Sequence, residues 1–121
     1  MADVRLYKVD LKFGVESVAG ILNTGTQQSL LSTLSYDCIQ AQVPPLLVPP
    51  SWAQGLIGAS GESLTVRGEL MRCPVTLNGY KYHTNLVVAD LGAVDIILGM
   101  DFLKAYGAVI DLKADKVSLQ L

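Results

Sequence analysis

Apolar and polar residues alternate along most of this 121-residue chain, and the alternation has the period of a strand rather than a helix. From Leu6 to Val15, the side chains of Val9, Leu11, Phe13 and Val15 fall on one face and those of Lys8, Asp10 and Lys12 on the other. Gly14 to Ser17 predicts a turn, Val18 to Leu22 a second strand that is apolar on both faces, and Ser29 to Leu31 a third. Ser32 is placed to cap a short helix through Ile39. Val75 to Tyr82 is the clearest hairpin, because Asn78-Gly79 supplies two residues that accept positive φ and alternation runs up to it from both sides. Leu86 to Ala89 and Val94 to Leu98 read as buried strands. Gly99 breaks the second, and Met100 to Tyr106 makes a short helix that Gly107 closes. Val109 to Leu112 and Lys116 to Leu121 form a last hairpin around Ala114-Asp115. Its alternation runs to the final residue, which predicts a terminal edge paired with something.

Two stretches interrupt this rhythm. Pro44, Pro45, Pro49 and Pro50 exclude helix and central strand between Val43 and Trp52, leaving an extended, partly apolar loop with Trp52 as its anchor. Gly55, Gly58, Gly61 and Gly68 then punctuate a hairpin spanning about residues 56–68, with its tip near Ala59-Ser60-Gly61. The sum is about eight short strands and one dependable short helix. That predicts a single all-β domain over residues 1–121, closed or barrel-like.

Composition narrows the function. Half the residues are hydrophobic and 17% are charged, so such a chain buries nearly all its strands or covers some surface with a partner. A net charge of -2 without a basic stripe argues against nucleic acid. No run of about 18 apolar residues predicts a membrane span. The N-terminus, with Asp3, Arg5, Lys8 and Asp10, lacks a signal-peptide core, so the expected compartment is the cytoplasm or a particle. Cys38 and Cys73 are isolated and His83 is the one histidine, so no metal site and no cofactor are expected. Gly58-Ala59-Ser60-Gly61 lacks the spacing of a serine elbow, and no phosphate-binding loop is present.

The polar turn between the second and third strands carries the chemistry. Ile21-Leu22-Asn23-Thr24-Gly25-Thr26 delivers polar atoms at the end of an apolar strand, and Val94-Asp95-Ile96-Ile97-Leu98-Gly99-Met100-Asp101-Phe102-Leu103 follows about 75 residues on. Both motifs in this order, with hairpins between them, resemble the retropepsin-like aspartic proteases, in particular those of retroviruses and gypsy-type retrotransposons. The resemblance covers most of residues 9–119 and implies a closed β-barrel with a flap at the 56–68 hairpin. It also implies a homodimer, since one chain supplies one such turn and the reaction needs two. Asn23, Thr24 and Gly25 fall on the family's catalytic triplet, and Thr26, Gly58, Ala59, Ser60 and Gly61 on its substrate-binding loop and flap tip. An extended peptide or polyprotein is the implied substrate, bound by strand addition.

In the family reaction, two facing carboxylates share a proton and activate a water between them. Asn23 stands where this chain would carry that carboxylate. An amide fits the same space and hydrogen-bonds, but it neither ionises nor supplies a proton, so negligible cleavage is expected. An engineered Asp→Asn exchange is the preferred account. A natural pseudoprotease that binds peptide as a dimer is the rival, and a third account makes Asn23 no catalytic position at all. Asp95 and Asp101 are the other carboxylates in the motifs. Asp101 is expected to open the short helix and Asp95 to make a structural hydrogen bond.

Overall fold

The computed structural model describes residues 2–5, 8–49, 51–56, 61 and 63–120. Its centre is a closed six-stranded barrel. β2 (Val9–Phe13) and β3 (Glu16–Leu22) form an antiparallel hairpin that starts at the pair Phe13–Glu16. Only Gly14 and Val15 lie between the strands, and Gly14 at φ 61° makes so tight a turn possible. The turn is therefore two residues shorter than the polarity of Glu16 and Ser17 suggests. In β3, Val18 and Gly20 point into the barrel while Ala19 is exposed, so its second apolar face is uncovered in the single chain.

β4 (Leu30–Ser32) is buried throughout and runs straight into α1 (Thr33–Ile39). Ser32 caps that helix as its sequence position implies, its Oγ accepting a hydrogen bond from the Ser35 N–H at 3.0 Å. The long hairpin β5 (Val66–Leu77) and β6 (Tyr80–Ala89) turns at Asn78 (φ 52°) and Gly79 (φ 82°), the two positive values of a type I′ turn. β7 (Ile96–Leu98) pairs on one side with β3 and on the other with β4, and β5 closes the barrel on β2.

The helix predicted after Gly99 is α2 (Met100–Ala105), followed by Gly107 at φ 55°. β8 (Val109–Asp111) and β9 (Lys116–Leu119) form the last hairpin. The terminal edge is indeed paired: β1 (Ala2–Arg5) lies antiparallel along β9, giving a small sheet in the order β1-β9-β8.

The proline-rich segment is fastened by backbone rather than by Trp52, which is 44% exposed. Leu47 and Glu69 exchange N–H···O bonds of 2.9 and 3.0 Å, and Gly68 lets the loop approach, since a side chain there would collide with Leu46 and Leu47. Beyond the 3-10 turn Ser51–Gly55, the Leu64 N–H donates to the Leu56 carbonyl at 3.1 Å. The predicted tip residues Gly58, Ala59 and Ser60 lie outside the described residues.

The barrel interior holds Leu11, Phe13, Leu31, Leu70, Leu77, Tyr82, Leu86, Ile96 and Leu98, each 1% exposed or less. Tyr82 packs edge-on against Phe102 and Tyr106, with ring centroids 5.7 and 4.7 Å apart, which ties α2 to the β5–β6 hairpin. Its hydroxyl is buried and has no hydrogen-bond partner. Removing that orphaned group while keeping the ring relieves a desolvation cost. Tyr82→Phe should therefore leave the fold intact and gain about 1 kcal/mol in urea unfolding. A loss of stability would mean that the hydroxyl is bonded in solution.

Candidate functional site

The two motifs meet at one end of the barrel. β3 and β7 run parallel with Ile21 opposite Ile97 and Leu22 opposite Leu98, so both strands release their chains at the same place. The Asn23 N–H still bonds the Leu98 carbonyl at 2.9 Å, and there the ladder stops. Asn23 then turns the chain with its own side chain: Oδ1 accepts the Gly25 N–H at 2.8 Å, and the Asn23 carbonyl lies 3.4 Å from the Thr26 nitrogen. Asn23 and Thr26 are half-buried, while Thr24 and Gly25 are exposed at the loop's crest.

From Thr26 onward the loop is laced to the start of α2. The Met100 N–H donates to the Thr26 carbonyl at 2.7 Å and the Asp101 N–H to the Gln27 carbonyl at 2.9 Å. Gly99 is required by this proximity, since a β-carbon there would stand 2.6 Å from the Thr26 oxygen and 2.7 Å from the Gln28 oxygen. Ser29, fully buried, forms the knot. Its N–H and Oγ donate to the two carboxylate oxygens of Asp101 at 3.0 and 2.6 Å, and its Oγ accepts the Gly99 N–H at 3.0 Å. Asp101 also takes the Phe102 N–H at 2.7 Å. Asp101 is thus inside α2 at its first turn, as the sequence implied, with Ser29 as a partner that the sequence reading missed. A serine opening an apolar strand was the available signal.

The remaining predicted residues separate. Asn23, Thr24, Gly25 and Thr26 form one continuous loop. Gly61, at φ 87°, lies in the segment predicted as the flap, and Gly58, Ala59 and Ser60 lie outside the described residues. Asp95 makes the structural hydrogen bond expected of it, accepting from the Ser35 hydroxyl at 3.2 Å. Burial pushes the Cys73 thiol up to about 12, which makes it a poor nucleophile, and Cys38 is free and exposed. Among the described residues no cluster of three His, Cys, Asp or Glu could hold a metal, and no helix is long and apolar enough to cross a membrane.

What the loop offers is an amide in a position that another carboxylate or amide could face. Asn23 Oδ1 is engaged with Gly25, which leaves the side chain's two N–H donors. Acid–base work at this position would need a carboxylic acid, and the same short bond to Gly25 would then stabilise its ionised form.

The family model described as retroviral aspartyl protease matches residues 52–121, more than half the chain and beginning beyond the Asn23 loop. Among solved structures, the retroviral protease-like domain of Ddi1 from Leishmania major shares this fold. The match has a TM-score of 0.73 at 21% identity, covering 96% of this chain and 89% of that one. A search of curated proteins gave no match.

Two outcomes follow from the loop's packing and charge. Gly99→Ala should cost about 1–3 kcal/mol in chemical denaturation, because the added methyl meets two backbone oxygens that are themselves bonded to α2. Glu69 is pushed above its ordinary carboxylate value, first by burial and then by the charge of Asp101. Its native state therefore holds its proton more tightly than the unfolded chain does, and stability falls as pH rises from the ordinary carboxylate value through the raised one. Glu69→Gln should melt higher than the parent at neutral pH, with the difference closing below about pH 4. A difference unchanged across that range would place the effect elsewhere.

Proposed function

The chain belongs to the retroviral aspartyl protease family, and from that premise we propose that it is a retropepsin-like aspartic endopeptidase domain whose Asn23 occupies the place of the catalytic aspartate. Its homodimer would bind extended peptide and leave it uncleaved. The observation that carries this reading is the position of Asn23 at the end of β3, one residue beyond the pair Leu22–Leu98, with its Oδ1 on the Gly25 N–H. A strand end of this kind presents a side chain at the mouth of the barrel, supported from below by the β7 ladder.

The reaction assigned to the active form is hydrolysis of a peptide bond. Two aspartates, one per subunit, hold a water between them; the ionised one takes its proton while the protonated one polarises the scissile carbonyl. Thr24 and Gly25, exposed at the crest, would meet their counterparts across the axis, and the 56–68 hairpin would cover an extended substrate. Processing of a retroelement polyprotein, in the cytoplasm or a particle, is the physiological role that fits the family. With asparagine in both subunits the cycle lacks both its base and its acid. The chain as written is an inactivated form.

The second reading is a natural pseudoprotease that binds an extended segment of a partner. What favours it is the Asn23–Gly25 bond, which satisfies the turn without any carboxylate.

Asn23→Asp separates the two. A peptidase should regain cleavage with an acidic optimum, blocked by a statine-type inhibitor, by at least about 10²–10⁴-fold over the asparagine chain. Its dimer dissociation constant should also become more pH-dependent than that of the parent, because a shared proton is then linked to association. A folded, dimeric Asn23→Asp protein that binds peptide but turns nothing over between about pH 4 and pH 7 would establish the binding module instead.

A further inference from the structure

A cavity of about 230 Å³ lies between the β5–β6 hairpin and α2, lined by Arg72, His83, Asn85, Asp101 and Phe102 among others. It is built by an irregularity in the sheet. Leu70 pairs with Leu86 and Cys73 with Thr84, so Met71 and Arg72 together stand opposite the single residue Asn85. This bulge places Arg72 at φ 49°, a conformation unfavourable for a residue with a β-carbon, and its N–H is caught by Asn85 Oδ1 at 2.8 Å. A backbone departure of this kind at the wall of a cavity is a reason to ask what the side chain serves.

The hydrogen-bonding capacity left over in the lining includes two free donor groups. Asp101's carboxylate already receives the Ser29 N–H, the Ser29 hydroxyl and the Phe102 N–H, so its oxygens are engaged on the side of Ser29 and α2. The Oδ1 of Asn85 is taken by Arg72, which leaves its two side-chain N–H groups. The His83 backbone is closed at both ends by the Tyr106 hydroxyl, at 2.8 and 3.0 Å, leaving the imidazole as its remaining polar group. Among the described residues no carboxylate lies within ion-pair distance of Arg72, whereas Arg67 pairs with Asp37 at 2.8 Å. The cavity thus presents a guanidinium and an amide as free donors, over the apolar surface of Phe102 and Ala105.

We propose that this cavity is a second binding site, separate from the Asn23 loop, for an oxyanion carried on a protein segment: the carboxylate of an acidic side chain or the phosphate of a phosphorylated one. The Arg72 guanidinium grips it by two parallel N–H bonds and the Asn85 amide adds a third, while Phe102 and Ala105 take the aliphatic stem. Asp101 forms one wall of the site and holds Ser29 through both of its carboxylate oxygens, so an occupant lies one hydrogen-bonded residue away from the segment that follows the Asn23 loop.

The test is a titration of the isotope-labelled chain by NMR, with four probes: a short glutamate-rich peptide, the same peptide with phosphoserine, its glutamine counterpart, and inorganic phosphate. The glutamate or phosphoserine peptide should move the side-chain signals of Arg72 and Asn85 while the glutamine peptide leaves them in place, and the tighter of the two identifies the source of the oxyanion. Arg72→Gly, which suits the positive φ and keeps the bulge, should melt no lower than the parent yet bind about tenfold or more weakly. Equal affinity in Arg72→Gly, no response to either acidic peptide, or a response to inorganic phosphate alone (an adventitious ion only) would overturn the proposal. The readout is binding to the Asn23 chain, so it is decided independently of whether Asn23→Asp restores cleavage.

Discussion

A loop that carries polar side chains out of an apolar barrel must find partners for its own backbone where it leaves the ladder and passes back into the buried strand. In this protein the partners come from one carboxylate and one hydroxyl 72 residues apart. The 2.6 Å bond from Ser29 to Asp101, with the Ser29 N–H on the second oxygen and the Gly99 N–H on the hydroxyl, closes a network in which each member is satisfied by the others. Around it the Thr26 and Gln27 carbonyls cap the first N–H groups of α2, which an unaided helix would leave bare. The loop supplies the helix with acceptors and the helix supplies the loop with a carboxylate. Neither is fixed without the other.

That mutual support explains why asparagine at position 23 is tolerated by the architecture. The turn needs an acceptor at Oδ1 for the Gly25 N–H, and an amide oxygen serves as well as a carboxylate oxygen. What changes is the chemistry available at the barrel mouth, because the second oxygen becomes an NH₂ that can donate but can neither take nor release a proton at ordinary pH. Fold and proton chemistry are therefore separable here, and a likeness in fold says little about turnover.

Most of the barrel could be read from the chain because its cues are local. Asn78-Gly79, the Ser32 cap and the break at Gly99 each act within a few residues, and each appears in the structure where it was expected. The loop Asn23–Thr26 was legible for a similar reason: an apolar strand that ends in Asn-Thr-Gly announces a polar turn. The features that were not legible depend on distant pairings. No local cue pairs Ser29 with Asp101, and nothing beside Leu47 says that its backbone will bridge to Glu69. The bulge at Arg72 was hidden for another reason. A single inserted residue shifts the alternation of β5, and with Met71 and Arg72 both exposed the pattern reads as an ordinary outer face.

The terminal sheet limits how a second copy could join. β9 has β1 on one edge and β8 on the other, so no strand of another molecule can pair with it while both remain. Where a proposed dimer also joins through this sheet, it would use the outer edges of β1 or β8, or exchange β1 between copies so that the same pairs form across the interface. Exchange keeps every ladder bond between β1 and β9. The β8 side presents Val109 (59% exposed) and Ile110 (37%), with Leu112 (74%) just beyond, an apolar edge that a monomer would ordinarily protect with charge. Covering it would also explain how a chain that is half hydrophobic disposes of the surface that its small barrel cannot bury.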